Sequence, residues 1–337
     1  MLESRIYAGR RIYASLLLPF FFISLQLGDS PRDFILINHF LRFSAASIEF
    51  AEPPGDFQSV TIPLKRVGRL FLIEASIGDQ TGNFVFDTGA GKLVLNRTYF
   101  RKDLTPVDEP AGGVTGSVEK VYQTRVARLD FNGLHFESVV ADVINLGHIE
   151  NRRVVKILCL LGMCLFRYLE MVIDLRRSEL QLYRIDKEGK RISAQKDSIS
   201  PDVICPVREA GGVVFLQGTI GGKVLDFCLD TGAEANVLSS TASKKVLNTV
   251  TITRRSDLTG SGSGQAEVLY GTMNDFMLGR LSLNPMQTMI TGMESLAMAY
   301  SYPLSGILGY DFFEKGIVCI NLVKKELGMY LVQEDAQ

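Results

Sequence analysis

Phe84-Val85-Phe86-Asp87-Thr88-Gly89-Ala90 returns 143 residues later as Phe227-Cys228-Leu229-Asp230-Thr231-Gly232-Ala233. At the same spacing Ile77-Gly78 matches Ile220-Gly221 and Val94-Leu95 matches Val237-Leu238, so the similarity extends beyond the four residues Asp-Thr-Gly-Ala. Further on, Leu160-Leu161-Gly162-Met163 corresponds to Ile307-Leu308-Gly309-Tyr310. A single Asp-Thr-Gly-Ala arises by chance on the order of once in a hundred chains of this length. Two in register, with matching surroundings, mark a duplicated unit. The units run over 67–184 and 213–332, each the size of a small domain. Between them, 185–212 is rich in charge, Ser and Pro and reads as a linker. Residues 31–66 contain Pro31, Pro53 and Pro54 and read as a stalk, a pro-segment or an added strand.

Each unit follows one local plan. Leu70–Ile77 and Phe84–Asp87 are expected as strands about the turn at Gly78–Gly82, and Phe215–Ile220 and Val224–Asp230 as strands about Gly221-Gly222. Each Asp therefore stands where a strand runs into a loop, and the glycine after Asp-Thr lets main-chain N–H groups approach the carboxylate. Two such carboxylates brought about 3 Å apart would repel by roughly 5 kcal/mol at an effective dielectric near 20. One shared proton relieves that repulsion and leaves one group as general base and the other as general acid.

At these residues the chain resembles the retropepsin-like aspartic proteases, specifically the bacterial type with two lobes fused in one polypeptide. The resemblance implies an all-β fold of two tandem β-barrel lobes, related by a pseudo-twofold axis, with the active site between them. It implies Asp87 and Asp230 as the catalytic pair, supported by Thr88, Gly89, Ala90, Thr231, Gly232 and Ala233, with the threonine hydroxyls interlocked beneath the carboxylates. Gly162 and Gly309 would close apolar-apolar-Gly elements behind each loop. Glycine-rich hairpin flaps are expected at Gly112–Gly116, with Gly113, Thr115 and Gly116, and at Thr259–Gly264, with Gly260, Ser261 and Gly262. A flexible surface loop is the competing reading of either stretch. The substrate would be a peptide or protein segment in extended conformation, cleaved without metal or other cofactor, by a monomer whose lobes pair within the chain. Both lobes depart from the family's pattern, the first (Gly91, Met163-Cys164) more than the second (Glu234). Gly91 and Glu234 follow Asp-Thr-Gly-Ala where relatives usually carry Ser or Asp, and Met163-Cys164 stands opposite Tyr310-Asp311. These departures keep a second reading open, a non-catalytic protein that uses the cleft to bind peptides.

Composition narrows the alternatives. Lys and Arg total 36 against 37 Asp and Glu, which gives no net field to attract nucleic acid. His39, His135 and His148 lie far apart without metal-ligand spacing. Gly89-Ala90-Gly91-Lys92 resembles the end of a phosphate loop, but that motif needs Gly at the place of Phe86 and Ser or Thr at that of Leu93. Gly260–Gly264 does not give the spacing of a dinucleotide fingerprint, and no GxSxG nucleophile elbow occurs. Five Cys, without CxxC spacing, read mostly as small buried hydrophobes, with a Cys159–Cys164 disulfide as the alternative.

The N-terminus points to export. Arg5, Arg10 and Arg11 precede 17 uncharged residues from Ile12 to Gly28, the layout of a secretory signal over residues 1–30. The stretch is short beside the roughly 20 residues that span a bilayer. A cleaved signal is thus favoured over a membrane anchor through residues 12–28, although no clear small-x-small cleavage site follows. The expected location is extracytoplasmic, in the periplasm or cell envelope or secreted.

Overall fold

The computed structural model describes residues 22–27, 30–35, 40–41, 48–107, 111–113, 116–118, 121–192, 200–259, 265–300 and 302–331. Of the apolar N-terminal stretch, Phe22–Leu27 is a strand antiparallel to Ser30–Ile35, and its remainder lies outside the described residues. Among the described residues no helix is long and apolar enough to cross a membrane.

The chain is nearly all β, in two lobes of matching topology. In the first, Leu70–Ile77, Gln80–Phe86, Ile157–Leu161, Leu93–Asn96, Leu134–Ile144 and Val121–Phe131 are neighbours in that order, and Leu129 pairing with Ile77 closes the ring into a six-stranded barrel. Phe84, Phe86, Leu93, Leu95 and Phe136 fill it, all essentially inaccessible to solvent. The second lobe repeats the order with Val213–Ile220, Lys223–Leu229, Gly306–Leu308, Asn236–Ser239, Met286–Thr291 and Gln265–Met273. Here the counterpart of the long hairpin is interrupted. Its first strand breaks at Asn274-Asp275 before Phe276–Leu278 pairs with Ile220 and Thr219, and its second breaks at Leu283–Pro285, where proline cannot donate to the ladder.

A six-stranded antiparallel sheet joins the lobes. Its order is Ser59–Pro63, Glu179–Arg184, Leu169–Asp174, Gly316–Asn321, Glu326–Leu331 and Val203–Ala210. The pseudo-twofold axis passes between its central strands, where Met171 pairs with Ile320 and Ile173 with Val318. Alternate residues Ile62, Leu180, Leu182, Met171, Ile173, Val318, Ile320, Leu327, Met329 and Cys205 point inward and are buried.

The sheet shows where the repeat truly begins. Val203–Ala210, part of the stretch read as a linker, is a strand, because Val203, Cys205 and Val207 alternate with the exposed Ile204 and Pro206 and cover the core at the sheet edge. Ser59–Pro63 does the same for the first lobe, and Lys65–Val67 continues it onto the barrel. The strands at the N-terminal ends of the units therefore begin at Ser59 and Val203, ahead of the starts at 67 and 213 read from the Asp-Thr-Gly repeat.

Candidate active site

Asp87 and Asp230 come together where the two lobes meet, each at the end of a barrel strand and buried. Their main-chain N–H groups donate to Leu161 O and Leu308 O, at 3.1 and 3.0 Å, so each loop hangs from the apolar strand behind it. Gly162 and Gly309 then let the chain cross under the loop. A Cβ on Gly162 would stand 2.0 Å from Lys92 O and 2.7 Å from Ala90 O. One residue on, Met163 N–H donates to Ala90 O at 2.8 Å and Tyr310 N–H to Ala233 O at 2.9 Å, the same bond in each lobe.

Beneath the carboxylates the threonines interlock. Thr88 N–H donates to Thr231 Oγ1 and Thr231 N–H to Thr88 Oγ1, both at 3.0 Å. Each hydroxyl in turn donates across the interface, Thr88 to Leu229 O at 3.0 Å and Thr231 to Phe86 O at 2.8 Å. Every polar atom of the two hydroxyls is thus used inside a buried network, which fixes both loops against each other.

The carboxylates face one another. Gly89 N–H donates to Asp87 Oδ1 at 2.9 Å and Gly232 N–H to Asp230 Oδ1 at 2.8 Å. A Cβ on Gly89 would lie 2.5 Å from Asp230 Cγ, and one on Gly232 would lie 3.0 Å from Asp87 Oδ1 and 3.1 Å from Asp230 Oδ1. Only glycine fits at Gly89, and at Gly232 a Cβ would press on both carboxylates. Both side chains are buried, and Asp87 Oδ2 and Asp230 Oδ2 have no partner outside the pair. Burial pushes both carboxyls well above the ordinary carboxylate range. For Asp87 the hydrogen bond with Asp230 and those from Gly89 and Ala90 pull back, leaving it at about 7. For Asp230 the charge of Asp87 adds to burial. The pair therefore holds a proton through the acidic range, the arrangement anticipated above for two carboxylates in contact.

A family model described as aspartyl protease matches residues 73–165 and again residues 216–312. The chain belongs to the aspartyl protease family. A comparison with curated proteins finds no match. Within the family's frame the two matches are two fused lobes, and each contains one of the Asp-Thr-Gly loops described above.

Other aspartyl protease positions divide. Gly113 and Gly116 pair across an antiparallel hairpin formed by Ala111–Gly113 and Gly116–Val118, while Thr115 lies outside the described residues. In the second lobe Val250–Thr259 and Gln265–Met273 form a long hairpin paired as far as Thr259 and Gln265, and Gly260, Ser261 and Gly262 at its tip lie outside the described residues. Glu234 is completely buried. Its carboxylate takes both hydrogen bonds from Arg153 Nη2, that to Oε1 at 2.5 Å, and its main-chain O accepts from Arg69 Nη1 at 3.0 Å. Asp311 pairs with Arg69 at 2.5 Å, and burial pushes it up to about 6 against the pull of that guanidinium. None of the five cysteines forms a disulfide, and burial raises the thiols of Cys159, Cys164, Cys205 and Cys228.

Sequence reasoning passed over Arg153 and Tyr300, which end the equivalent helices Gly147–Arg153 and Glu294–Tyr300. Both reach the opposite lobe's loop. Arg153 holds Glu234, and the buried Tyr300 hydroxyl donates to Gly89 O at 3.4 Å. The signal was available in the 147-residue spacing of Gly162 and Gly309, which places Arg153 opposite Tyr300.

Proposed function

We propose that this chain is an exported aspartic endopeptidase that hydrolyses peptide bonds through Asp87 and Asp230, with its lobes paired inside one polypeptide. The observation that carries the reading is the buried carboxylate pair held between interlocked loops, with raised proton affinity on both members. An extended peptide would lie between the lobes, bonded strand-fashion beneath the hairpins that carry Gly113, Thr115 and Gly116 and Gly260, Ser261 and Gly262. A water between the carboxylates gives its proton to the ionised one as its oxygen attacks the amide carbonyl carbon. The protonated partner meanwhile hydrogen-bonds and then protonates the carbonyl oxygen. Collapse of the tetrahedral species breaks the C–N bond: one of its two hydroxyls returns a proton to the second carboxylate as the carbonyl re-forms, and the amine leaves with the proton the first carboxylate took up. The apolar stretch Ile12–Gly28 behind Arg5, Arg10 and Arg11 supports export.

Purified protein assayed against a proteome-derived peptide library tests the reading. Asp87→Asn and Asp230→Asn should each lower cleavage by about 100- to 10,000-fold while the protein stays folded. Undiminished cleavage in either variant would refute the mechanism. Since one shared proton is required, activity should be lost at alkaline pH once Asp230, which burial and the charge of Asp87 hold well above the ordinary carboxylate range, also gives up its proton. A wild-type chain that binds peptides but cleaves none of the library between about pH 3 and 8 would favour the binding-protein reading, which Gly91 at the orthodox Ser or Asp position motivates.

A further inference from the structure

The pseudo-twofold axis relates the lobes in backbone but not in charge. Arg69–Asp311, Arg153–Glu234 and Arg167–Glu209 all cross the lobe interface, and in each the cation stands on the first lobe and the anion on the second. A fourth contact follows suit, with Arg66 Nη2 donating to Tyr310 Oη at 2.5 Å and Tyr310 Oη donating to Glu314 Oε1 at 2.8 Å. Two of these sites are images of one another. The 143-residue spacing carries Arg66 onto Glu209, and the 147-residue spacing carries Arg167 onto Glu314, so the symmetry operation exchanges the signs. The remaining cations meet small or neutral groups at their images. Arg69 maps onto Gly212 and Arg153 onto Tyr300, while Glu234 maps onto Gly91 and Asp311 onto Cys164. Ile48 and Gly91 close the space beside Gly212, where a Cβ would lie 2.6 and 2.9 Å from them.

We infer that the lobe interface is a one-way charge code that admits only the pairing of a first lobe with a second, and so prevents the carboxylate pair from assembling out of two like lobes. Pairing first lobe with first would set Arg66 against Arg167 at both ends of the interface. Pairing second with second would set Glu209 against Glu314 at both ends, and would bury Asp311 and Glu234 without their arginines. Like charges in contact and buried charges without partners are the elements by which interfaces reject wrong partners. A duplicated unit needs such a device, because barrels of matching topology with the same Asp-Thr-Gly turn would otherwise be able to pair like with like. The inference concerns lobe pairing and stands whether or not the cleft cleaves peptides.

A double-mutant cycle in the full chain at Arg167 and Glu209 tests it, since this pair is partly exposed and lies outside the catalytic loops. Arg167→Glu and Glu209→Arg should each lower Tm by about 4 °C or more. The double variant R167E/E209R should recover to within about 1 °C of wild type, and the coupling should shrink in about 1 M salt. Should a single reversal fail to fold, Arg167→Gln and Glu209→Gln supply the same cycle with smaller shifts. Additive losses, with the double variant as unstable as its parents combined, overturn the code. So would peptide cleavage by Asp87→Asn that grows with the square of protein concentration, because only paired second lobes could then supply two Asp230 carboxylates.

Discussion

At the scale of single residues, the site depends on atoms that are missing as much as on atoms present. Gly162 has no Cβ because one would sit 2.0 Å from Lys92 O, a carbonyl fixed in the loop that carries Asp87. Gly162→Ala must move that loop or fail to fold. We expect a loss of at least about 3 kcal/mol in chemical denaturation, together with loss of any activity. Arg153 argues the opposite case, a group whose removal leaves something stranded. Glu234 is fully inaccessible and spends both carboxylate oxygens on that guanidinium. Arg153→Met keeps the stem and deletes the charge, and should cost about 3 to 5 kcal/mol, the usual penalty for breaking a buried pair from one side. Adding Glu234→Gln to it should return part of that loss, because the stranded charge then disappears. An Arg153→Met protein as stable as wild type would show that Glu234 is not held by this pair.

Among the elements, the strands that carry the Asp-Thr-Gly loops were legible in the amino-acid order, and the sheet that binds the lobes was not. Asp-Thr-Gly-Ala and the apolar-apolar-Gly runs are short, rigid in composition and duplicated, since their geometry tolerates few residues. The edge strands tolerate many, needing only an apolar residue at alternate positions. Ile62-Pro63-Leu64 and Cys205-Pro206-Val207 do repeat at the spacing of 143, followed by Gly68 and Gly211, both with positive φ. Charge and proline around 185–208 outweighed that weak pattern. Proline was in fact compatible with a strand there, because Pro63 and Pro206 lie on strands at the two ends of the sheet, where a missing N–H costs little. The Arg153–Glu234 contact was hidden for another reason, as Glu234 extends a motif but Arg153 lies in none, and their partnership exists only across the lobe interface. The edge strand is more than decoration. Ile62 is 1% exposed and pairs beside Leu180, so Ile62→Ala should destabilise the protein by about 2 to 5 kcal/mol in urea or guanidinium unfolding. Val60→Thr, on the half-buried position of the same strand, should cost much less. Equal losses from the two would mean that Ile62 does not cap the interlobe core.

For the molecule as a whole, the carboxylate pair links stability to pH in a direction opposite to that of ordinary surface acids. Asp87 and Asp230 have folded-state affinities raised above those of the unfolded chain by burial, and for Asp230 also by its neighbour's charge. Between about pH 4 and pH 7 the native state therefore binds more protons than the unfolded one, and stability falls as pH rises through that window. Asp311, raised to about 6 by burial, acts in the same sense. Glu49, Glu74 and Asp130, lowered chiefly by side-chain hydrogen bonds from Arg125, Lys65 and Arg128, act in the other, but they are exposed and their ion pairs are worth little. The buried groups decide the sign. Tm should consequently climb as the buffer is taken from pH 8 to pH 5, and Asp87→Asn, which keeps an oxygen for the Gly89 N–H while removing the charge, should raise Tm at pH 8 and flatten the slope. The protein would then become more stable as it lost activity, the signature of a site where like charges are confined for chemistry and not for folding. A wild-type Tm that rises from pH 5 to pH 8, unchanged by Asp87→Asn, would mean that the two carboxylates are not confined together in the folded protein.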